Sequence, residues 1–355
     1  MDLPVNPPVK PMLAKAVDGI PERVDVLFEP KWDGFRCLVF RDGNELVLGS
    51  RNEKPLTRYF PEMVGPLLEQ LPDRCVVDGE LVVITDNKLD FDGLQQRIHP
   101  AESRVNMLAE KTPAAFMAFD LLALGNDNLM ASPFSDRRAS LESMLTNCEP
   151  PIHLTQTTTD TTVAAEWFRV FEGAGLDGLI AKPLGEPYLE NKRSQMKVKH
   201  ARSADCVLAG YRWHKDGKGV GSLLLGLNNA DGELQSVGVC ASFTAKRRAE
   251  LVEELEPLTV DAMQTHPWRS WAEAAAHDEG RMPGAPNRWS GQKDHSWVPL
   301  RIERVVEVKY NATLNGRLRE VGRFLRWRPD KEPHQCTFDQ LDEPEPVGLD
   351  VVLGT

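Results

Sequence analysis

Phe28-Glu29-Pro30-Lys31-Trp32-Asp33-Gly34-Phe35-Arg36 is the stretch whose reading decides this chain. It begins as a strand, turns at Asp33-Gly34, and resumes as a strand through Cys37-Leu38-Val39-Phe40. A merely solubilising charge is oddly placed at such a turn, between Pro30 and Trp32 and flanked by apolar strand. A lysine amine stripped of water and set among cations gives up its proton more readily, and a neutral lysine is a nucleophile. Lys31 is therefore read as a covalent catalyst, carried by a strand-turn-strand unit from Val24 to Phe40.

Working outward, Asp42-Gly43 is a hairpin signal, and Leu46 to Arg51 is the return strand. The two strands bring Lys31, Arg36 and Arg51 close together. Arg74 to Ile84 is a β-branched run broken by Asp78-Gly79-Glu80. The plain reading is a bulged edge strand with solvated acids; the functional one puts Glu80 on a ribose hydroxyl or a metal. Ala114 to Ala123 is a buried strand with one acid, Asp120, and Phe119 suits either a stacking platform or the core. Helices are expected over Pro61–Leu71, Leu94–Ile98 and Ser103–Glu110, at Ser135 with that serine as N-cap, and over Thr161–Glu172. Asp177-Gly178 precedes a short apolar strand ending in Lys182. In Lys197-Val198-Lys199 the two lysines lie two apart, on one side of a strand. Paired lysines on a buried face are costly unless anions meet them.

After about Arg202 the texture changes. Val207–Trp213, Gly221–Asn229 and Gly232–Ser242 are short strands between glycine-rich turns, as in a small barrel. Lys246–Leu255 is a helix, and Val298–Tyr310 is strand-like. The expected organisation is α+β in two domains, 1–201 and 202–332, with an insertion over about 245–296. An acidic, loosely ordered tail is expected over 333–355.

Bulk properties narrow the function. There is no apolar run long enough to span a bilayer and no basic-then-apolar leader at the N-terminus, so a cytoplasmic protein is expected. The six cysteines stand far apart, which excludes a zinc ribbon and suits a reducing compartment. The net charge of −11 argues against a polyanionic partner. Local charge argues for one: residues 191–218 hold eight Lys/Arg against two acids, and 301–331 hold nine against four. No P-loop pattern occurs, and no G-x-G-x-x-G opens a helix after a strand. Gly217 to Gly221 reads as a hairpin, and His99, His153 and His200 form no zinc site or triad.

One nucleophilic lysine, acids at Glu80 and Asp177, and cations at Arg36, Arg51, Lys182, Lys197 and Lys199 make a polyphosphate site. Attack of the lysine on the α-phosphorus of ATP would expel pyrophosphate and leave a lysyl-AMP, with cations and positioning supplying most of the catalysis. A divalent metal, magnesium first, would bridge carboxylate and phosphate oxygens.

The motifs resemble those of ATP-dependent DNA ligases of the covalent nucleotidyltransferase superfamily. Lys31 to Arg36 matches K-x-D-G-x-R, Ser50-Arg51 the next motif, Asp78-Gly79-Glu80 the D-G-E element, and Phe119-Asp120 the adenine-stacking aromatic with its aspartate. Asp177 to Lys182 resembles E-G-[LV]-[IVM]-x-K with aspartate for glutamate, Lys197-Val198-Lys199 matches K-x-K, and Arg326 to Lys331 resembles the terminal R-x-D-K, with Pro329 between Arg328 and Asp330.

The resemblance implies an adenylation domain with antiparallel sheets and a C-terminal OB-fold barrel. It implies that Lys31 takes AMP, Glu29 and Phe119 hold adenine, Arg36 and Glu80 hold the ribose, and Arg51 meets the nick 5′-phosphate. Lys197 and Lys199 would take the α-phosphate, and Arg328, Asp330 and Lys331 the pyrophosphate. Glu80 and Asp177 would bind Mg2+, for which Mn2+ can substitute. It also implies a monomer acting on nicked duplex DNA in repair, with a repair polymerase as a further partner and the nucleoid as its place of work. The likeness is to minimal two-domain bacterial ligases, above all the C-type of actinobacteria, with no room before Lys31 for a further DNA-binding domain. Two rivals are an RNA ligase or mRNA-capping guanylyltransferase, and a non-catalytic nick-binding scaffold.

Overall fold

The computed structural model describes residues 1–200, 202–269, 296–314, 316–341 and 344–354. The chain divides into two units, Met1–Lys199 with Pro344–Thr355, and His200–Glu343. Strands β1 (Ala14–Ala16), β2 (Val26–Pro30), β3 (Phe35–Asp42), β4 (Glu45–Ser50), β5 (Arg74–Thr85), β6 (Lys88–Leu89), β7 (Ala114–Leu124), β8 (Asp127–Asn128), β9 (Ile152–Leu154), β10 (Gly178–Pro183) and β11 (Gln195–Lys199) build the first unit.

They form two sheets. The smaller runs β1-β11-β10-β2, and the larger runs β4-β3-β5-β7-β8 with β6 beside β5 and β9 beside β7. The expected hairpin at Asp42 forms, with Asp42 opposite Glu45. The strand-turn-strand around Lys31 does not form as one ladder. β2 lies in the small sheet and β3 in the large one, so Lys31 to Gly34 crosses from sheet to sheet. Gly34 permits the crossing: a Cβ there would collide with the Leu81 carbonyl of β5.

Alternation then sorts the side chains. On the small sheet Phe28, Leu179, Ala181 and Met196 pack as one apolar cluster against Ala164 of the helix Thr161–Val170. Residues of the opposite parity, Glu29, Lys182, Lys197 and Lys199, share the other face. On the large sheet Cys37, Val39, Val77, Leu81 and Phe116 bury one face. The other carries Arg36, Leu38, Asp78, Glu80 and Val82. The N-terminal segment runs across it, burying Leu3, Val5, Val9 and Met12 on Leu38, Phe40 and Tyr188. β5 is thus a central strand between β3 and β7, not the edge strand of the plain reading.

In the second unit, β12 (Arg202–Trp213), β13 (Val220–Asn228), β14 (Leu234–Ala241), β15 (Val298–Pro299), β16 (Val305–Tyr310), β17 (Thr313–Leu314), β18 (Arg317–Leu318) and β19 (Gly322–Trp327) follow in order. β12 pairs with β13, β13 with β14, β14 with β19 in parallel, β19 with β16, and β16 with β12 again. That five-strand circuit closes into a barrel with OB-fold order, and the helix Ala245–Leu255, capped by Thr244, follows its third strand. The expected insertion continues into residues 270–295, outside the described ones.

Two local expectations are corrected. Ser135 lies inside the helix Phe134–Leu145, whose N-cap position is Pro133. The acidic tail is not loose: Cys336 and Leu341 are buried in the second unit, and Leu349 and Val352 of the short helix Leu349–Leu353 are buried in the first. Its apolar residues outweigh the solvation of its acids.

Candidate active site

Lys31 follows the last residue of β2, and the backbones here are stitched together. Lys31 N donates to Gly178 O at 2.9 Å, and Asp177 N donates to Lys31 O at 3.1 Å. Gly178, at φ +128°, comes so close to β11 that a Cβ would strike the Val198 carbonyl. The side chains converge accordingly. Lys31 Nζ donates to Asp177 Oδ2 at 2.6 Å, and Lys199 Nζ reaches the same oxygen at 2.8 Å. Burial pushes the Asp177 carboxyl up, but Lys31 and then Lys199 outweigh it and hold it below the usual aspartate value. Lys197 sits on the same face; burial first, then Lys199 and Lys31, lower its affinity for its proton. Arg51, exposed beyond β4, is near enough to push it the same way.

The second group draws on both sheets, Phe119 and Arg36 from the large one and Lys182 and Glu29 from the small one. Phe119 is buried, with the Arg36 guanidinium carbon and the Lys182 Nζ each 4.4 Å from its ring centroid. Lys182 pairs with Glu29 at 2.8 Å and donates to Phe119 O at 3.2 Å. Glu29 Oε2 is buried with no hydrogen-bond partner among the described residues. Burial raises the Glu29 carboxyl and lowers the Lys182 ammonium, each only partly offset by the other. Lys182, expected among the phosphate cations, thus belongs to the aromatic end of the site.

Arg36 forms a forked pair with Asp78, both bonds 2.6 Å, and Tyr188 Oη donates to Asp78 Oδ2 at 2.6 Å. Glu80, directly opposite Arg36 in the ladder, is pushed up to about 7 by burial, against the pull of Arg36 and Lys31. A register shift beside Asp78 and Gly79 in the β5–β7 pairing interrupts alternation near Phe119. Phe119 and Asp120, though adjacent, therefore both join the same side of the sheet. Asp120 is met by Arg137 in a buried forked pair at 2.8 and 3.0 Å. Asp78 and Asp120 are direct cross-strand neighbours, a like-charge pair that would be unfavourable without Arg36 and Arg137. Sequence reasoning missed Tyr188 and Arg137, which lie far along the chain from the carboxylates they serve and stand in no motif.

Glu80 and Asp177 are the two carboxylates that the sequence offers to a metal. Among the described residues no group of three metal-binding side chains gathers. Two carboxylates suit magnesium, which takes its remaining ligands from water and phosphate oxygens. A cation would also ease the burial cost that raises Glu80. Arg328 and Lys331 stand apart in the sequence, on the second unit. Both bind Asp205 of β12, at 2.7 and 3.0 Å, and Arg328 also binds Asp330 at 2.7 Å. The arginine holds the Asp330 carboxyl down at about 2.

The model of the ATP dependent DNA ligase domain matches residues 11–199, and that of the ATP dependent DNA ligase C terminal region matches 216–331. The chain belongs to the ATP-dependent DNA ligases. It is 57% identical to DNA ligase C2 of Mycolicibacterium smegmatis over 97% of this chain and 97% of that protein. It is 53% identical to DNA ligase C of Mycobacterium tuberculosis, over 100% of this chain and 99% of that one. The expected likeness to the C-type ligases is borne out. A Lig E DNA ligase of known structure, 18% identical, matches with a TM-score of 0.55 over 89% of this chain and 99% of its own, a likeness of fold alone.

Proposed function

We propose that this chain uses ATP to seal 5′-phosphate/3′-hydroxyl nicks in duplex DNA, in repair. The observation that carries the reading is Lys31 Nζ on Asp177 with Lys199 on the same oxygen. A nucleophile and phosphate-binding cations meet at one end of a site whose other end offers an aromatic ring and an unpartnered carboxylate oxygen.

The Lys31 amine, its proton released, attacks the α-phosphorus of ATP. The bond to the bridging oxygen breaks and pyrophosphate leaves. Lys197 and Lys199 meet the charge that gathers on the α-phosphate oxygens. Glu29 Oε2, buried without a hydrogen-bond partner among the described residues, accepts from the adenine amino group, and Phe119 stacks on the base. Stacking requires Arg36 or Lys182 to yield part of the ring. Arg36 and Glu80 hold the ribose, while Asp78 and Tyr188 fix Arg36. Magnesium, held by Glu80 and Asp177, would neutralise phosphate charge. Arg328 and Lys331 are read as cations for the departing pyrophosphate. The nick 5′-phosphate, held by Arg51, then attacks the lysyl-bound phosphorus and frees the amine. The 3′-hydroxyl finally attacks the 5′-phosphorus and AMP leaves.

The test is mass spectrometry after incubation with ATP. The Lys31 peptide is expected to gain one AMP, and Lys31→Ala to abolish labelling with its circular dichroism unchanged. A labelled Lys31→Ala chain sinks the assignment. Parallel incubations with GTP, and with nicked RNA, separate this reading from capping and RNA-joining enzymes.

A further inference from the structure

We propose that the C-terminal segment Glu345–Leu353 is a positioning element of the nucleotide pocket. The inference rests on the ATP-using reading above. The segment is part of the first unit although 144 residues of the second unit, His200–Glu343, separate it from the rest. It is seated by specific contacts. Val347 N donates to Gly173 O at 3.2 Å and Leu349 N to Asn87 O at 2.8 Å. The Asn87 amide donates to Asp350 at 2.6 Å. Gly173 lies so close that a Cβ would collide with the Glu345 carbonyl oxygen.

What the segment covers gives it a role. Leu349 and Val352 are buried in the cluster that contains Trp32, Val82, Met117 and Phe119. Trp32 neighbours the nucleophile, and Phe119 is the ring proposed to carry the base. A polar path runs in parallel. The Gln156 amide donates to Val352 O, and the adjoining Thr155 hydroxyl accepts from Trp32 Nε1 at 2.9 Å. Thr155 O is itself held by Arg138 at 2.7 Å. The segment thus backs both the indole beside Lys31 and the aromatic wall of the pocket. A base is held largely by stacking on such a ring, so displacing the wall that carries it weakens the hold on ATP more than it slows the step at Lys31.

The experiment measures Lys31 adenylylation against ATP concentration in the full chain, with label on the α-phosphate. Val352→Asp puts a charge into the cluster, and Gly173→Ala pushes against Glu345. Val351→Asp is the control, because Val351 is 50% exposed on the same helix. Both disruptive variants are expected to raise KM for ATP by about tenfold with kcat within about twofold, and the control to match the unaltered chain. A chain ending at Glu343 should behave like Val352→Asp and recover when a peptide of residues 344–354 is added. Unchanged KM in both disruptive variants overturns the inference while leaving the functional reading intact. So does a fall in kcat and melting temperature at constant KM, the mark of a merely structural prop. An unaltered chain that takes no AMP at Lys31 overturns both.

Discussion

Replacing Lys182 by methionine isolates the buried pair at the aromatic end of the site. Methionine keeps the stem volume against Phe119 and Phe134, whose ring centroids lie 4.4 and 4.8 Å from the ammonium, and removes the charge. Glu29, 2% exposed, then loses the partner on Oε1 and already has none on Oε2. Leaving one member of a buried ion pair uncompensated costs about 3–5 kcal/mol. The loss depends on pH in a definite direction. Burial already raises the folded Glu29 carboxyl above its ordinary 4.5, and losing Lys182 raises it further. The folded variant therefore keeps a proton that the unfolded chain has released, and stability falls as pH rises above about 4.5. The deficit is therefore smaller near pH 5 than at pH 8. Adding Glu29→Gln removes the titrating group, flattens the profile and recovers most of the stability. Urea unfolding of the four proteins of the cycle at pH 5, 6.5 and 8 measures the coupling directly. A Lys182→Met deficit under about 1 kcal/mol at pH 8, or one that does not change with pH, would refute the reasoning.

Glu80, pushed up to about 7, carries a cost in the folded chain that appears as pH rises from about 4.5 to 7. In chelator, Glu80→Gln is expected to match the parent near pH 5 and to be about 2–3 kcal/mol more stable at pH 8, after allowance for partial exposure; equal stability at both pH values contradicts this. Gly178→Ala imposes both φ +128° and a clash with the Val198 carbonyl, so a loss above about 2 kcal/mol and weaker Lys31 labelling are expected. Thermal melting together with the labelling assay checks it, and a variant normal in both removes the structural case for this glycine.

The site's motifs were legible because their chemistry is local. An amine between proline and tryptophan, a carboxylate pair in a β-branched run, and lysines two apart each break a pattern that packing alone would keep. Alternation did the rest: Lys197 and Lys199 do share a face, and Asp177 supplies the anion that Lys199 requires. Long-range partners left no such trace. Nothing in the sequence ties Tyr188 to Asp78 or Arg137 to Asp120, because each pairing is made by strands folding together. Asp33-Gly34 was misleading for a related reason. Asp-Gly reports a change of direction and says nothing about which sheet the chain enters next. The sequence leaves Phe119 between stacking platform and core because strict alternation puts it and Asp120 on opposite faces, whereas the register shift places both on the site side. In the tail, acidic composition outweighed the better signal, the apolar spacing Leu349, Val352, Leu353.

The sheet-to-sheet crossing explains how aspartate can stand at residue 177, where the resemblance leads one to expect glutamate. A side chain shorter by one methylene loses about 1.5 Å of reach, and a fixed scaffold would leave it short of the amine. Here the distance is taken up by the main chain. The hydrogen bonds between Lys31 and Gly178 and between Asp177 and Lys31 continue the β2–β10 ladder past Pro30, where Leu179 is paired. Gly178 lets that corner close against β11. The carboxylate consequently reaches both Lys31 and Lys199 directly, at 2.6 and 2.8 Å. Both lysines occupy the same oxygen, Oδ2, so an incoming phosphate that draws Lys199 away leaves that oxygen to Lys31 alone. In the free protein Asp177 is thus a shared counter-ion.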